Sequence, residues 1–212
     1  MQRGGPRPQV DSYSRLEHLA LTPVRRALAA ALWPAVAMLR RLRVPPNAVS
    51  LSQIPLGFVV GVLMVPSPRV AFGLFVAAVL LDALDGALAR ATGQGSGYGA
   101  LVDQVSDHIR EITMVGSLVA IGALRGEIGV AYAVLYPVAN VLLYLANRCG
   151  APVPLAVKTW LAFYPFLFAY LWFGLDWLDP SAATSCALMA LTSGGALLRL
   201  RRRMGGSLEG PA

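Results

Sequence analysis

Between residues 48 and 199 the chain is a run of apolar stretches, each close to the length a bilayer demands, separated by short polar or Gly/Pro-bearing breaks. A membrane-spanning helix takes about 20 predominantly apolar residues. Six such stretches stand at roughly 48–66, 70–89, 100–124, 128–147, 156–176 and 181–199. No alternating pattern of a barrel strand is present, and backbone groups in hydrocarbon must then be satisfied within helices. The composition agrees. Hydrophobic residues make up 56% and charged residues 14% of the 212, against about 25% charged in a soluble domain. A water-facing surface cannot be built from so little charge, and disordered chains are charge-rich rather than apolar. The expected fold is all-α and integral to the membrane.

The scarce charge is unevenly placed. The net charge is +7. Nucleic acid is one reading of a basic chain, but here the basic residues flank apolar segments, which suits anionic head groups and not a nucleic-acid partner. Eight arginines precede the first stretch: Arg3, Arg7, Arg15, Arg25, Arg26, Arg40, Arg41 and Arg43. Arg90, Arg148, Lys158, Arg199, Arg201, Arg202 and Arg203 fall on the same side if the spans number six. The opposite loops hold only Arg69 and Arg125, so both termini are expected in the cytoplasm. The first ~45 residues lack the compact apolar core of a signal peptide, and no cleaved leader is expected. Cys149 and Cys186 have no metal-site or disulfide-framework spacing.

Residues 14–46 form a different segment. Leu16, Leu19, Val24, Leu28, Leu32, Ala35 and Leu39 recur at helical spacing, with Pro23 and Pro34 between them. This pattern fits an amphipathic helix in the cytoplasmic interface, broken near the prolines; a seventh span is the competing reading. Residues 1–13 and 204–212 read as disordered ends, leaving 47–203 as the transmembrane domain.

Four carboxylates lie where spanning helices should be apolar: Asp82, Asp85, Asp103 and Asp107. Each costs several kcal/mol in lipid unless paired or hydrated, so intramembrane acids mark function. Asp82 and Asp85 are i, i+3; Asp103 and Asp107 are i, i+4. Each pair shares a helical face. Both pairs flank the loop 91–98, so the four can converge at one depth. Converging carboxylates repel unless cations neutralise them. Hard divalent ions with oxygen ligands, Mg2+ or Mn2+, suit such a site and commonly hold phosphate-bearing substrates. Gly86, Ala89 and Gly99 leave room for a ligand, and Arg90 can bind phosphate. Interhelical salt bridges with Arg90, Arg110 and Glu111 are the competing structural reading, poorly matched to four acids and two local arginines.

The arrangement Asp82-x-x-Asp85-Gly86-x-x-Ala89-Arg90, eight residues, Gly99-x-x-x-Asp103-x-x-x-Asp107 resembles the signature of the CDP-alcohol phosphotransferase family at all eight positions. Pro46-Asn47-x-x-Ser50 is similar to the Pro-Asn-x-x-Thr that often opens the family's first span. The resemblance implies six spans behind an amphipathic N-terminal helix, and two divalent metals per site. Asp82, Asp85 and Asp103 would hold metal against the pyrophosphate of a CDP-linked lipid donor. Asp107 would help hold a second metal and serve as general base on a small polar alcohol, with release of CMP. Gly86, Ala89, Arg90 and Gly99 would line the nucleotide pocket. Asn47 and Ser50 either join them or, for Asn47, cap the first helix.

The acceptor is left open. His108 stands where many relatives have Lys or Arg, and fits either acceptor binding or a neutral contact with a neighbouring helix. Arg110 fits either the acceptor or a pair with Glu111 or Asp107. Arg148 and Lys158 suit a phosphorylated acceptor such as glycerol 3-phosphate or inositol phosphate, or positive-inside anchoring. Lys158-Thr159 is similar to the phosphatidylglycerophosphate synthases, but Gln53 replaces the Arg they usually carry after Pro-Asn. The tyrosines and tryptophans from Tyr132 to Trp177 read as packing and interfacial residues. Homodimers are common in the family, but no residue pattern here encodes one. Two other readings of the acids are an intramembrane Mg-dependent prenyltransferase and a cation transporter. The first usually has more spans and two distant acidic motifs, the second paired broken helices or repeats.

Overall fold

The computed structural model describes residues 15–154 and 162–205. These residues form seven α-helices and, among them, no strand. In chain order the helices are α1 (Arg15–Arg41), α2 (Pro46–Leu63), α3 (Pro68–Thr92), α4 (Gly97–Ala120), α5 (Gly126–Arg148), α6 (Tyr164–Phe173) and α7 (Leu178–Gly205).

Helix ends follow local chemistry. Prolines 46 and 68 start α2 and α3, where their missing N–H is not needed. Gly93, at φ +69°, closes α3 in the left-handed conformation. Ser96 then caps α4 by accepting from the Gly99 N–H at 2.9 Å. The turn joining the two acidic helices is therefore short and well defined.

Four helices are long and apolar enough to cross a membrane: α2, α3, α5 and α7. Their outward residues are apolar too, Phe58, Val62, Val70, Val130, Val134 and Leu191 among them. So large an apolar exterior has no place in water, and this is a membrane protein. The other two expected spans differ from the four. Asp103, Asp107, Arg110 and Glu111 interrupt the apolarity of α4. In α6 ten residues are described, and residues 156–161 of the expected fifth span lie outside the described residues. Residues 1–13 and 206–212, expected to be disordered, also lie outside them, while Met204 and Gly205, expected in the disordered tail, instead continue α7.

α1 differs from the expected broken segment: it runs unbroken past Pro23 and Pro34. A proline removes one backbone bond and bends a helix, and packing on one side can hold the flanking turns together. That packing is present. Val36 is buried with Val49 of α2 and Leu84 and Leu88 of α3, while Trp33, Met38 and Leu42 stay exposed.

The interior packs in an order not evident from adjacency in sequence. α2 packs extensively against both α3 and α4, which touch each other far less, and α5 packs along α7. The main core gathers Phe75, Met114, Leu118, Tyr132 and Leu167 from four helices, with Met64 just past α2 and Phe163 just before α6. Close contact of α2 with α4 depends on Gly57 and Gly61: a Cβ on Gly57 would lie 3.1 Å from the Arg110 Cα, and one on Gly61 2.9 Å from the Thr113 methyl. Small residues one turn apart are a recurrent means of bringing membrane helices together.

A carboxylate cluster as candidate active site

Asp82 and Asp85 project from the last turns of α3, Asp103 and Asp107 from the first turns of α4. The structure draws three of them together. Asp82, Asp85 and Asp103 each offer a carboxylate oxygen, and these oxygens all lie within 4.8 Å of one another. Asp85 is buried, and Asp82 and Asp103 are half-buried. Oδ1 of Asp103 is buried without a hydrogen-bond partner. An all-oxygen set with an orphaned carboxylate oxygen fits a hard divalent cation such as Mg2+ or Mn2+. The same burial is costly without a cation, because three close carboxylates repel one another.

Asp107 stands apart from this triad. One turn further along α4, its Oδ1 pairs with Nη1 of Arg110 at 2.8 Å. Of the two readings of Arg110, the structure thus presents the pair with Asp107. The guanidinium is buried and lies 5.8 Å from the Phe75 ring centroid.

α2 supplies a third wall. Ser50 donates its hydroxyl hydrogen to Oδ2 of Asp85 at 2.5 Å. Gln53 donates from Nε2 to the same oxygen at 3.4 Å, and its Oε1 accepts from Nη1 of Arg110. Both donors to Asp85 come from one helix and engage one oxygen, which orients the carboxylate as outer-shell partners orient metal ligands. Asn47 does not cap α2: Pro45 occupies that position and no side-chain cap bond forms. A Cβ added to Gly99 would meet the Asn47 Oδ1 at 3.0 Å, so Asn47 reaches the start of α4 from α2.

The remaining expected residues fall around this centre. Gly86 and Ala89 are half-buried on α3, and the exposed Arg90 extends back to bring Nη1 within 3.4 Å of where a Gly86 Cβ would stand. His108 packs edge-on against the Tyr136 ring of α5, with centroids 5.5 Å apart. Arg148 is exposed at the end of α5, and Lys158 lies outside the described residues.

Beyond Arg110 lies a polar group that the sequence reading assigned to salt bridging and packing. Glu111 is wholly buried and accepts from the hydroxyls of Tyr132 and Tyr164, each at 2.6 Å. Gln53 is the other residue not singled out for the site. A signal for it existed: Asn47, Ser50, Gln53, Gly57 and Gly61 recur at helical spacing along the otherwise apolar α2. That polar, small-residue stripe marks the face turned to the acids.

A family model described as CDP-alcohol phosphatidyltransferase matches residues 43–193. The match begins just before α2 and contains all four acids, the Ser96 cap and the Glu111 cluster. Comparison with curated proteins finds no match.

Proposed function

The chain belongs to the CDP-alcohol phosphatidyltransferase family, and from that premise we propose that it transfers a phosphatidyl group from CDP-diacylglycerol to a small polar alcohol. Family membership makes it a transferase of substituted phosphate groups that takes a CDP-alcohol donor, which displaces the prenyltransferase and transporter readings. The observation that carries the finer reading is the convergence of Asp82, Asp85 and Asp103 within 4.8 Å beside a short, capped turn.

In this reading Asp82, Asp85 and Asp103 hold divalent metal, with Asp107 completing a second site. When bound, Mg2+ or Mn2+ supplies charge neutralisation of the pyrophosphate and of the leaving phosphate. The protein's own groups do the rest. Gly86, Ala89 and Gly99 leave backbone exposed for the cytidine nucleotide, with Arg90 on its phosphates and Asn47 and Ser50 closing the pocket from α2. Asp107 takes the proton of the acceptor hydroxyl. The hydroxyl oxygen attacks the β-phosphorus, the bond from that phosphorus to the bridging oxygen breaks, and CMP departs with the electron pair. A general base has to lie within hydrogen-bond reach of its proton, and Asp107 sits one helical turn beyond the triad on α4.

The acceptor in this reading carries a phosphate, as glycerol 3-phosphate or inositol phosphate do, read by Arg148 and Lys158 with His108 nearby. In this reading the chain has six spans, with the site near the cytoplasmic face, both termini on that side, and α1 in the interface. The test is detergent-purified protein with Mg2+ or Mn2+, CDP-diacylglycerol and a panel of alcohols. The expected result is one new phospholipid with equimolar CMP from a phosphorylated acceptor. Product only with unphosphorylated alcohols overturns the acceptor class.

A further inference from the structure

Gln53 is fully buried in the middle of α2, between a carboxylate from α3 and a guanidinium from α4. A carboxylate only accepts hydrogen bonds and a guanidinium only donates them. A side chain joining the two must donate at one end and accept at the other, which is what a primary amide does. Glutamate at this position would set another acid beside Asp85. Leucine would remove one partner from each end, leaving Asp85 to Ser50 and Arg110 to Asp107 with nothing joining them, and an arginine or lysine would face Arg110 with like charge. The same Arg110 nitrogen that Gln53 engages lies 2.8 Å from Oδ1 of Asp107. One unbroken line thus runs from Asp85 through Gln53 and Arg110 to Asp107.

We infer that Gln53 is a positioning residue that ties the acidic pair of α3 to the acidic pair of α4, holding Asp85 and Asp107 in register for the site between them. The inference rests on the proposed metal-dependent transfer. Gln53 acts through its neighbours: it aims Asp85 directly and fixes Asp107 by steadying Arg110. α2 is suited to the task because Gly57, one turn on, brings the α4 backbone at Arg110 against it. Arg110 Nε is buried with no hydrogen-bond partner, so the side chain depends heavily on its Nη1 contacts for orientation.

The test uses the full chain in detergent and Mn2+ alone as probe, with free ion read by electron paramagnetic resonance and thermal unfolding followed in parallel. Gln53→Leu is expected to weaken Mn2+ binding about tenfold, the usual scale for losing an outer-shell partner of a ligand. Gln53→Asn, an amide on a shorter stem, should retain more of the affinity. In turnover, kcat should fall while acceptor KM stays within about twofold of wild type, since the substrate contacts are untouched. Mn2+ affinity in Gln53→Leu within threefold of wild type overturns the inference, whatever the change in melting temperature. If Gln53→Leu cannot be recovered folded, Gln53→Ala, which also lacks the amide, decides at the same threshold. Wild-type protein that binds no Mn2+ overturns instead the metal-dependent reading on which the inference stands.

Discussion

At the scale of single residues, Asp107 is set apart from the other three acids by its partner. Arg110 neutralises it at 2.8 Å, whereas Asp82, Asp85 and Asp103 face one another. The proposed roles differ accordingly, with three acids holding metal and Asp107 adding proton transfer to its share of a second metal site. Asp107→Asn should lower turnover by at least about a hundredfold, the range of a lost general base. CDP-diacylglycerol binding should stay near wild type, as equilibrium binding of labelled donor will check. Equal loss of both would move Asp107 to a purely metal-binding role. The acids themselves were legible because a charge in an apolar helix needs a reason, and the spacings 82/85 and 103/107 supplied one. The wiring was not. Asp107 is three residues from Arg110 and Glu111 is next to it, so helical spacing favours Asp107, but whether the guanidinium turns there or toward an acceptor depends on which rotamers the packed helices leave open. Tyr132 and Tyr164 read as packing residues because hydroxyls on two distant helices give no local hint of a shared carboxylate.

At the scale of helices, the architecture turns on α2 lying between the two acidic helices. Sequence adjacency suggested that α3 and α4 pair directly across the Ser96 turn; instead α2 packs broadly on both. The reason is steric. Gly57 and Gly61 let α2 approach α4 more closely than any larger residue would. Gly57→Ala should therefore cost about 1–3 kcal/mol of stability, the usual scale of overpacking, because its neighbour is the backbone of Arg110 and not the end of a flexible side chain. Unfolding of the detergent-solubilised variant measures this, and an unchanged midpoint would show that the helices can part without penalty. The helices themselves were legible from apolar length, with ends within a few residues of the capping signals at Pro46, Pro68 and Ser96. The continuity of α1 was not, since Pro23 and Pro34 argue locally for a break, and at Pro34 the packing of the next turn against Leu84 and Leu88 opposes it.

At the scale of the whole molecule, charge placement and helix direction make one statement about orientation. The C-terminal ends of α3, α5 and α7 carry Arg90, Arg148 and Arg199 to Arg203, and the acids lie at that end of α3. Positive-inside bias is the basis for proposing that this end faces the cytoplasm. Cys149, exposed beside Arg148, offers a check, because the other cysteine, Cys186, is buried. A membrane-impermeant maleimide should label Cys149 in inside-out vesicles and leave it unlabelled in right-side-out ones; the reverse would invert the topology. The central claim is that the aspartate cluster is the catalytic centre of phosphatidyl transfer. Its most direct test is metal-dependent CMP release from CDP-diacylglycerol by wild-type protein and by Asp103→Asn, an isosteric change at the carboxylate whose Oδ1 lacks a partner. Under that proposal chelation abolishes release by wild type, and the rate is at least about a hundredfold lower in the variant. Undiminished release by Asp103→Asn, or none from wild type with any acceptor, would contradict it.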